Sequence, residues 1–162
     1  MPYGPISDYR GVVGDRIEQG ANVFLEVYNT LTTTLSNGVV YKVVHTADST
    51  TGNYPTLTAV TTDAAGITQV AVVNNSITPK GVDGIAGSSW GYVQVRGECP
   101  KVSVFGATTI GNALLFTVAN VLELTDAGNA TLALTTVGIA RSSTTAAGSV
   151  SATLLGFRVS AS

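Results

Sequence analysis

Ten short runs of β-branched and aromatic residues, separated by turns that contain glycine, dominate the sequence from Asn22 onward. Such runs are typical of an all-β sandwich or barrel, because branched and aromatic side chains pack well on a pleated sheet. The connections carry SNG at 36–38, TGN at 51–53, DAAG at 63–66, DAG at 126–128 and TAAG at 145–148, each with a glycine where a turn needs a positive φ. The predicted strands are ANVFLEVYN, GVVYKVVHT, TLTAVTT, ITQVAVVNN, WGYVQVRG, KVSVFG, ALLFTV, VLELT, ATLALTTVGIA and SVSATLLGFRVS.

Alternation within the runs predicts one buried and one polar face for each strand. In GYVQVRG the residues Tyr92, Gln94 and Arg96 face one way and the intervening valines the other. Pro100 predicts the end of a strand, because proline cannot donate to a sheet ladder. The segment NALLFTVANVLEL also fits the apolar stripe of a helix, although its Thr and Val content favours strand.

The first 20 residues predict an extended arm rather than a strand or helix. Prolines and glycines interrupt the segment between Tyr3, Ile6 and Tyr9, and its tyrosines favour attachment to a surface. Without a Pro-rich or Ser-rich linker, and without a convincing repeat of 20–50 residues, the chain is predicted to hold an extended N-terminal arm (1–20) and a single β domain (21–162).

The composition favours a protein that assembles with other chains. Only 11% of the 162 residues are charged, well below the roughly 25% of an average soluble protein, so the surface lacks the charge that keeps a small monomer soluble. The formal net charge of −2 provides no footprint for direct nucleic-acid binding. The N-terminus does not look like a signal peptide, no apolar run is long enough to span a membrane, and one cysteine, Cys99, cannot form an internal disulfide.

One sequence motif resembles a catalytic site but lacks the structural surroundings that the chemistry requires. Gly87–Gly91, GSSWG, matches G-x-S-x-G with Ser89 as nucleophile, but this motif requires a helix after the serine and a strand is predicted there. The only imidazole is His45, with no acidic residue clearly placed to orient it. We therefore expect no enzymatic activity.

No cofactor or metal site is predicted either. The sole histidine and the scattered carboxylates offer no ligand spacing. The glycine-rich GVDGIAG at 81–87 lacks the lysine and the following helix of a phosphate-binding loop. A sugar-binding platform of aromatic rings remains open, although packing and subunit contacts are commoner uses for such residues; its candidate rings are Trp90, Tyr92, Tyr28, Tyr41 and Tyr54.

Three short strand motifs follow one another in the second half of the chain, residues 84–158. They are a G-x-V-x-V-x-G strand at Gly91, Val93, Val95 and Gly97, a G-x-A strand at Gly138 and Ala140, and a final strand at Gly148, Val150 and Leu154. In this order they resemble the strands of the capsid decoration or cement proteins of tailed bacteriophages. The final strand departs from that family's G-x-V-x-V-x-L pattern, because Ala152 stands where the second valine belongs.

The resemblance implies a β-barrel or β-tulip-like fold and a structural protein on the exterior of the virion, assembled in the host cytoplasm. It implies binding to the major capsid protein and to copies of itself, commonly as a trimer, which stabilises the shell. We expect contacts with the capsid or with other subunits through Tyr3, Ile6, Tyr9, Arg10, Trp90 and Tyr92. The alternative is a head-fibre or tail domain that binds a receptor or glycan, with an exposed aromatic platform around Trp90.

Overall fold

The computed structural model describes residues 16–48, 52–58, 66–77, 83–116, 122–128, 136–156 and 158–161. Within these ranges the chain forms 11 strands and no helix. The strands are β1 (Arg16–Gln19), β2 (Asn22–Tyr28), β3 (Val40–Asp48), β4 (Gly52–Thr58), β5 (Gly66–Val73), β6 (Trp90–Val104), β7 (Ala113–Phe116), β8 (Leu124–Asp126), β9 (Thr136–Ala140), β10 (Gly148–Leu155) and β11 (Arg158–Ala161). The predicted all-β fold is confirmed, and strands β7 and β8 occupy the described parts of the segment considered as a helix.

Five strands close a first barrel. β2 pairs with β6, β6 with β5, β5 with β3 and β3 with β4, all antiparallel. A parallel contact, with Tyr28 opposite Thr56, then joins β4 back to β2. Because the ladder returns to its starting strand, the sheet is a closed barrel.

A second barrel shares strand β6 with the first. β6 pairs with β10, β10 with β9, β9 with β7 and β7 with β8, again all antiparallel. A parallel contact, with Val104 opposite Leu124, joins β8 back to β6. The predicted β-barrel is therefore confirmed, and the described residues form two barrels that share one strand.

The two barrels have the same topology. We number the strands of each barrel from first to fifth in chain order. In each barrel the first strand pairs in parallel with the third and antiparallel with the fifth. The second strand pairs with the third and the fourth, and the fourth pairs with the fifth. Strand β6 is the fifth strand of the first barrel and the first strand of the second. The chain thus contains an internal structural repeat.

The turn before the second strand is built in the same way in both barrels. Gly38 has φ +97° and donates its N–H to the carbonyl of Val73 at 2.8 Å. Gly111 has φ +89° and donates its N–H to the carbonyl of Ala140, also at 2.8 Å. Each acceptor is the last residue of the fourth strand of its own barrel.

The loops at the ends of the barrels are paired in the same way too. In the first barrel, Leu35 and Ile85 form an isolated antiparallel bridge between the first and last connections. In the second, Thr108 and Thr144 form the matching bridge. The sequence analysis predicted no repeat with a period of 20–50 residues. The structural repeat has a longer period, as the spacing from Gly38 to Gly111 shows.

Strand β6 bends sharply between the two barrels. Val93 pairs with Val73, Val73 is hydrogen-bonded to Gly38, and the carbonyl of Gly38 accepts from the N–H of Ser103. Val93 and Ser103 are therefore at most three strand spacings apart, about 15 Å, whereas ten residues of a straight strand span ~33 Å. Gly97, with φ +94°, lies between them.

The expectation that Pro100 ends a strand is wrong, because β6 continues through it. Its pairing with β10 jumps from Cys99↔Ala152 to Val102↔Val150, so Pro100 lies in a bulge. A bulge leaves positions out of the ladder, and a residue without an N–H is tolerated there.

Both faces of the first half of β6 are buried, which corrects the expectation of a polar face at Tyr92 and Gln94. The Gln94 side-chain amide donates to the carbonyls of Arg96 and Glu98, at 3.0 and 3.1 Å, and accepts from Asn74 Nδ2 at 2.8 Å. The bend at Gly97 brings the strand back over this face. Alternation alone does not reveal such a bend.

The N-terminal segment is only partly described. Arg16–Gln19, the last part of the predicted arm but for Gly20, pair with β2 as strand β1. Residues 1–15 lie outside the described residues, so the predicted division at residue 20 stays a prediction.

Candidate interaction surfaces

Trp90 lies at one end of the first barrel, where strand β2 ends and strand β6 begins. It pairs across the ladder with Tyr28, and both side chains are partly exposed. The ring centroids are 5.4 Å apart and the planes are inclined at 57°. Because the rings are tilted, they form a ridge rather than the flat platform on which one sugar face would stack.

A loop held by Asn29 places Leu31 near this pair. Asn29 Nδ2 donates to the carbonyls of Thr33, Ile85 and Ala86 at 2.9–3.1 Å, and its Oδ1 accepts from the N–H of Leu31 at 3.0 Å. Leu31 is 48% exposed although its backbone is held in place. We name Tyr28, Leu31 and Trp90 the Trp90 surface.

Ser89 belongs to the turn that enters β6 and not to a nucleophile elbow. Strand β6 follows it directly, as the sequence predicted. Its Oγ donates to the carbonyl of Gly87 at 3.2 Å, within its own loop. A Cβ on Gly87 would overlap the backbone of Thr32, so this glycine allows the two loops to pack closely. His45 lies in β3, and its side chain is outside the described residues.

The remaining predicted contact residues differ in where they lie. Tyr92 is only 2% exposed, because its side chain packs inside the chain, so it offers almost no surface to a partner. Tyr3, Ile6, Tyr9 and Arg10 all lie in the part of the chain that the structure does not describe.

A second surface lies on the loop 105–112 of the second barrel, which we name the Ile110 loop. Phe105 and Ile110, both large apolar side chains, are 55% and 60% exposed. The Ile110 N–H donates to Ser143 Oγ at 2.9 Å, and Thr108 pairs with Thr144. The loop therefore presents its apolar side chains from a fixed backbone.

Asp126 supports the Ile110 loop from strand β8. Its carboxylate accepts from the N–H groups of Thr109 (2.8 Å) and Gly128 (2.6 Å) and from Asn112 Nδ2 (3.0 Å). Desolvation alone would raise the pKa of this carboxyl, but the three donors outweigh it and the pKa is lowered. Asp126 is a structural acceptor and is ionised at neutral pH.

Cys99 is buried at the bulge of β6, and its thiol donates to the carbonyl of Lys101 at 3.3 Å. Burial raises the pKa of this thiol to about 11. Because the thiolate is the reactive form, the buried thiol is inert in the native fold.

The described ranges contain neither a metal-binding cluster nor a membrane-spanning helix. In those ranges, no group of three or more His, Cys, Asp or Glu side chains is arranged to hold a metal ion. Among the same residues, no helix has the length and hydropathy to cross a membrane.

Of the exposed apolar residues on these two surfaces, the sequence analysis named Trp90 and not Leu31, Phe105 or Ile110. One signal was present for two of them, since Phe105 and Ile110 each directly precede a glycine. The contact role predicted for Trp90 stays a prediction.

Comparisons with known proteins identify no family. No family model matches the chain, and no curated protein matches it. One similar solved structure is the crystal structure of the head fibre gp8.5 N base of bacteriophage phi29, with a TM-score of 0.46 and 8% sequence identity over 83% of this chain and 97% of that one. Similarity this weak carries no argument about function.

Proposed function

We propose that the chain is a structural component of a tailed-bacteriophage virion, which binds the major capsid protein and neighbouring copies of itself on the shell exterior and thereby stabilises it. The observation that carries the proposal is the pair of rigidly held apolar surfaces, the Trp90 surface and the Ile110 loop, on a chain with few charges. Apolar anchors on a preorganised backbone bind with little ordering cost, which suits repeated docking on identical sites.

The packing of the two barrels supports a structural role. Their interiors are filled by apolar side chains, among them Val27, Val93, Leu114 and Leu124, all below 2% exposed. The shared strand β6 makes the two barrels one unit, as expected of a protein that bears load. The resemblance to decoration proteins falls mainly on β6, β9 and β10, which frame the second barrel.

The N-terminal arm has a role in this proposal. Tyr3, Ile6, Tyr9 and Arg10 reach a neighbouring subunit and strengthen the assembly. Deleting residues 1–15 leaves strand β1 in place, so the variant tests the arm without removing part of the sheet. A lower occupancy on shells is expected, and unchanged occupancy would contradict this role.

Reconstitution tests the proposal as a whole. Particles produced without the chain should release their DNA at a lower temperature than complete particles, and adding the purified chain should restore the higher temperature. A matched double variant, Leu31→Asn with Ile110→Asn, should restore it poorly because both apolar anchors are lost. Normal stability of particles without the chain would contradict a stabilising role.

The alternative function is a head-fibre or tail domain that binds a receptor or glycan through the Trp90 surface. The partly exposed Tyr28–Trp90 pair supports it, and the 57° tilt between the rings weighs against it. Binding to host envelope glycans that is lost in Trp90→Ala, with only a few copies per particle, would favour this alternative.

A further inference from the structure

The internal repeat identifies a face that is covered in the first barrel. Val40 on β3 lies opposite Val72 on β5, and their exposures are 1% and 0%. Both belong to a core cluster whose other members include Val102, Leu114 and Leu124 of the second barrel. The second barrel therefore covers the outer side of the β3–β5 pair.

The equivalent pair in the second barrel is Ala113 on β7 and Ile139 on β9, which also lie opposite each other. Their core-facing neighbours Leu114 and Ala140 are fully buried. Ala113 is 5% exposed, whereas Ile139 is partly exposed, and so is Leu115, the next outward position on β7. The face that is closed at both positions of the pair in the first barrel is thus open at Ile139 in the second.

The turns beside these two faces also differ, because the turn of the first barrel is covered and that of the second is exposed. A Cβ on Gly38 would lie 3.0 Å from Lys101 Cγ, and the Gly38 carbonyl accepts from the Ser103 N–H, so the second barrel covers this turn. Among the residues that the structure describes, none comes within 4 Å of a Cβ on Gly111. Beside it, Ile110 is 60% exposed, where the first barrel has the polar Asn37. We name Ile110, Leu115 and Ile139 the open face.

The part of the second barrel that covers the first is the edge where β6 and β8 meet. There the N–H of Ser103 donates to the carbonyl of Gly38, and the N–H of Val40 donates to the carbonyl of Leu122, just before β8. This edge has an equivalent in the first barrel. In the first barrel the same edge is formed by β2 and β4, at Tyr28↔Thr56. That edge carries the Trp90 surface.

We propose that the open face of one copy binds the Trp90 surface of a second copy, so that copies associate head to tail in the way the two barrels pack within one chain. The contact is heterologous, because two different surfaces meet. Such contacts close into a ring if the rotation between copies allows it and otherwise form a filament. Both surfaces are apolar and neither adds a charge, so their burial leaves no unpaired ion.

Two substitutions with sedimentation velocity over a range of concentrations test this arrangement. Ile110→Asn places the residue of the first barrel's turn in the second, and Leu31→Asn removes the apolar tip of the Trp90 surface. Each is expected to weaken self-association about tenfold to a hundredfold, as the loss of one buried aliphatic side chain does. Ala21→Asn changes an exposed side chain in the turn between β1 and β2, outside both surfaces, and it should leave self-association unchanged.

Mixing the two weakened variants distinguishes head-to-tail from symmetric contacts. Ile110→Asn keeps an intact Trp90 surface and Leu31→Asn keeps an intact open face, so the mixture should form a 1:1 dimer and stop there. Self-association of Leu31→Asn at the wild-type level, a monomeric wild type at all concentrations, or an equal loss in Ala21→Asn would each overturn the inference.

The inference deepens the proposed function, on whose self-association it rests, but the two fail separately. A monomeric wild type that still binds shells would refute the head-to-tail contact and leave only the shell binding of the proposed function standing. If Ile110→Asn lost shell binding while self-association stayed intact, the occupant of the open face would be the shell protein and not a second copy.

Discussion

Replacing Gly97 by alanine should destabilise the chain far more than an ordinary glycine substitution. Gly97 has φ +94°, where an L-residue costs about 1–2 kcal/mol. Its new Cβ would lie 2.7 Å from Asn22 Cα and 2.8 Å from the carbonyl of Ala21, and it would overlap Asn22 Oδ1. Because those neighbours include backbone atoms, the bend of β6 has to shift, at a cost of about 1–3 kcal/mol.

The same shift breaks the hydrogen bond from the Glu98 N–H to Asn22 Oδ1, now 2.8 Å long, which adds about 1 kcal/mol. The expected loss for Gly97→Ala is therefore about 3–6 kcal/mol. Gly111→Ala shares the positive φ, but no described residue lies within 4 Å of its new Cβ, so about 1–2 kcal/mol is expected. Gly106→Ala has no positive φ and likewise no described residue within 4 Å, and it should be neutral or stabilise slightly.

Urea denaturation followed by far-UV circular dichroism and by the fluorescence of the single tryptophan measures these free energies. Trp90 reports on the first barrel, whereas circular dichroism reports on both, and the shared β6 predicts that the two transitions coincide. A loss for Gly97→Ala within 0.5 kcal/mol of that for Gly111→Ala would refute the reasoning. Separate transitions for the two probes would contradict the coupling through β6.

Three further predictions concern single side chains. Asp126→Asn should lower the free energy of unfolding by about 1 kcal/mol at pH 7, since the carboxylate that accepts three hydrogen bonds is replaced by a weaker acceptor. Because the folded-state pKa of Asp126 is lowered, its contribution to stability is present above about pH 4 and is lost as the pH falls further. The unfolding free energies of the wild type and the variant should therefore converge in acid. Cys99, 1% exposed and with its pKa raised to about 11, should react with a thiol reagent only after denaturation, and rapid labelling of the native protein would contradict its burial. Asn37–Gly38 is the only Asn–Gly dipeptide in the sequence. In the fold, Asn37 Oδ1 accepts from the N–H groups of Asn75 and Gly84, and the Gly38 N–H donates to the carbonyl of Val73. Peptide mapping should therefore find that Asn37 deamidates much more slowly in the folded chain than in urea, and equal rates would show that this turn is open.

Local patterns predicted the strands well, because β-branched runs and glycine turns act over a few residues. The GVVYKVVHT and ITQVAVVNN runs became β3 and β5, and the SNG turn places Gly38 at positive φ. The WGYVQVRG and KVSVFG runs were predicted as two strands and are one, since the bulge at Pro100 keeps the ladder going. SVSATLLGFRVS was predicted as one strand and is two, because Gly156 at φ +73° separates β10 from β11.

Barrel closure and the repeat were beyond local reasoning. Each barrel closes through a parallel pair between its first and third strands, a contact that leaves no turn signal in the sequence. The matched turns read LSNGVV at 35–40 and TTIGNA at 108–113 and have only the glycine in common. The repeat is therefore a similarity of hydrogen bonds and not of residues.

The candidate surfaces depended on tertiary structure for the same reason. Trp90 and Tyr92 are two residues apart on β6 and were both predicted as contact residues, yet the fold buries Tyr92 and leaves Trp90 partly exposed. The importance of Ile110 emerges only from comparison with the covered turn at Gly38 in the first barrel.

The central claim, that the chain is a structural component of a virion shell, is tested most directly by its copy number in purified particles. Mass spectrometry with isotope-labelled peptides gives the ratio of this chain to the most abundant shell protein. The account predicts a ratio near one; a few copies per particle would favour the head-fibre or tail alternative. Absence of the chain from purified particles would contradict the claim.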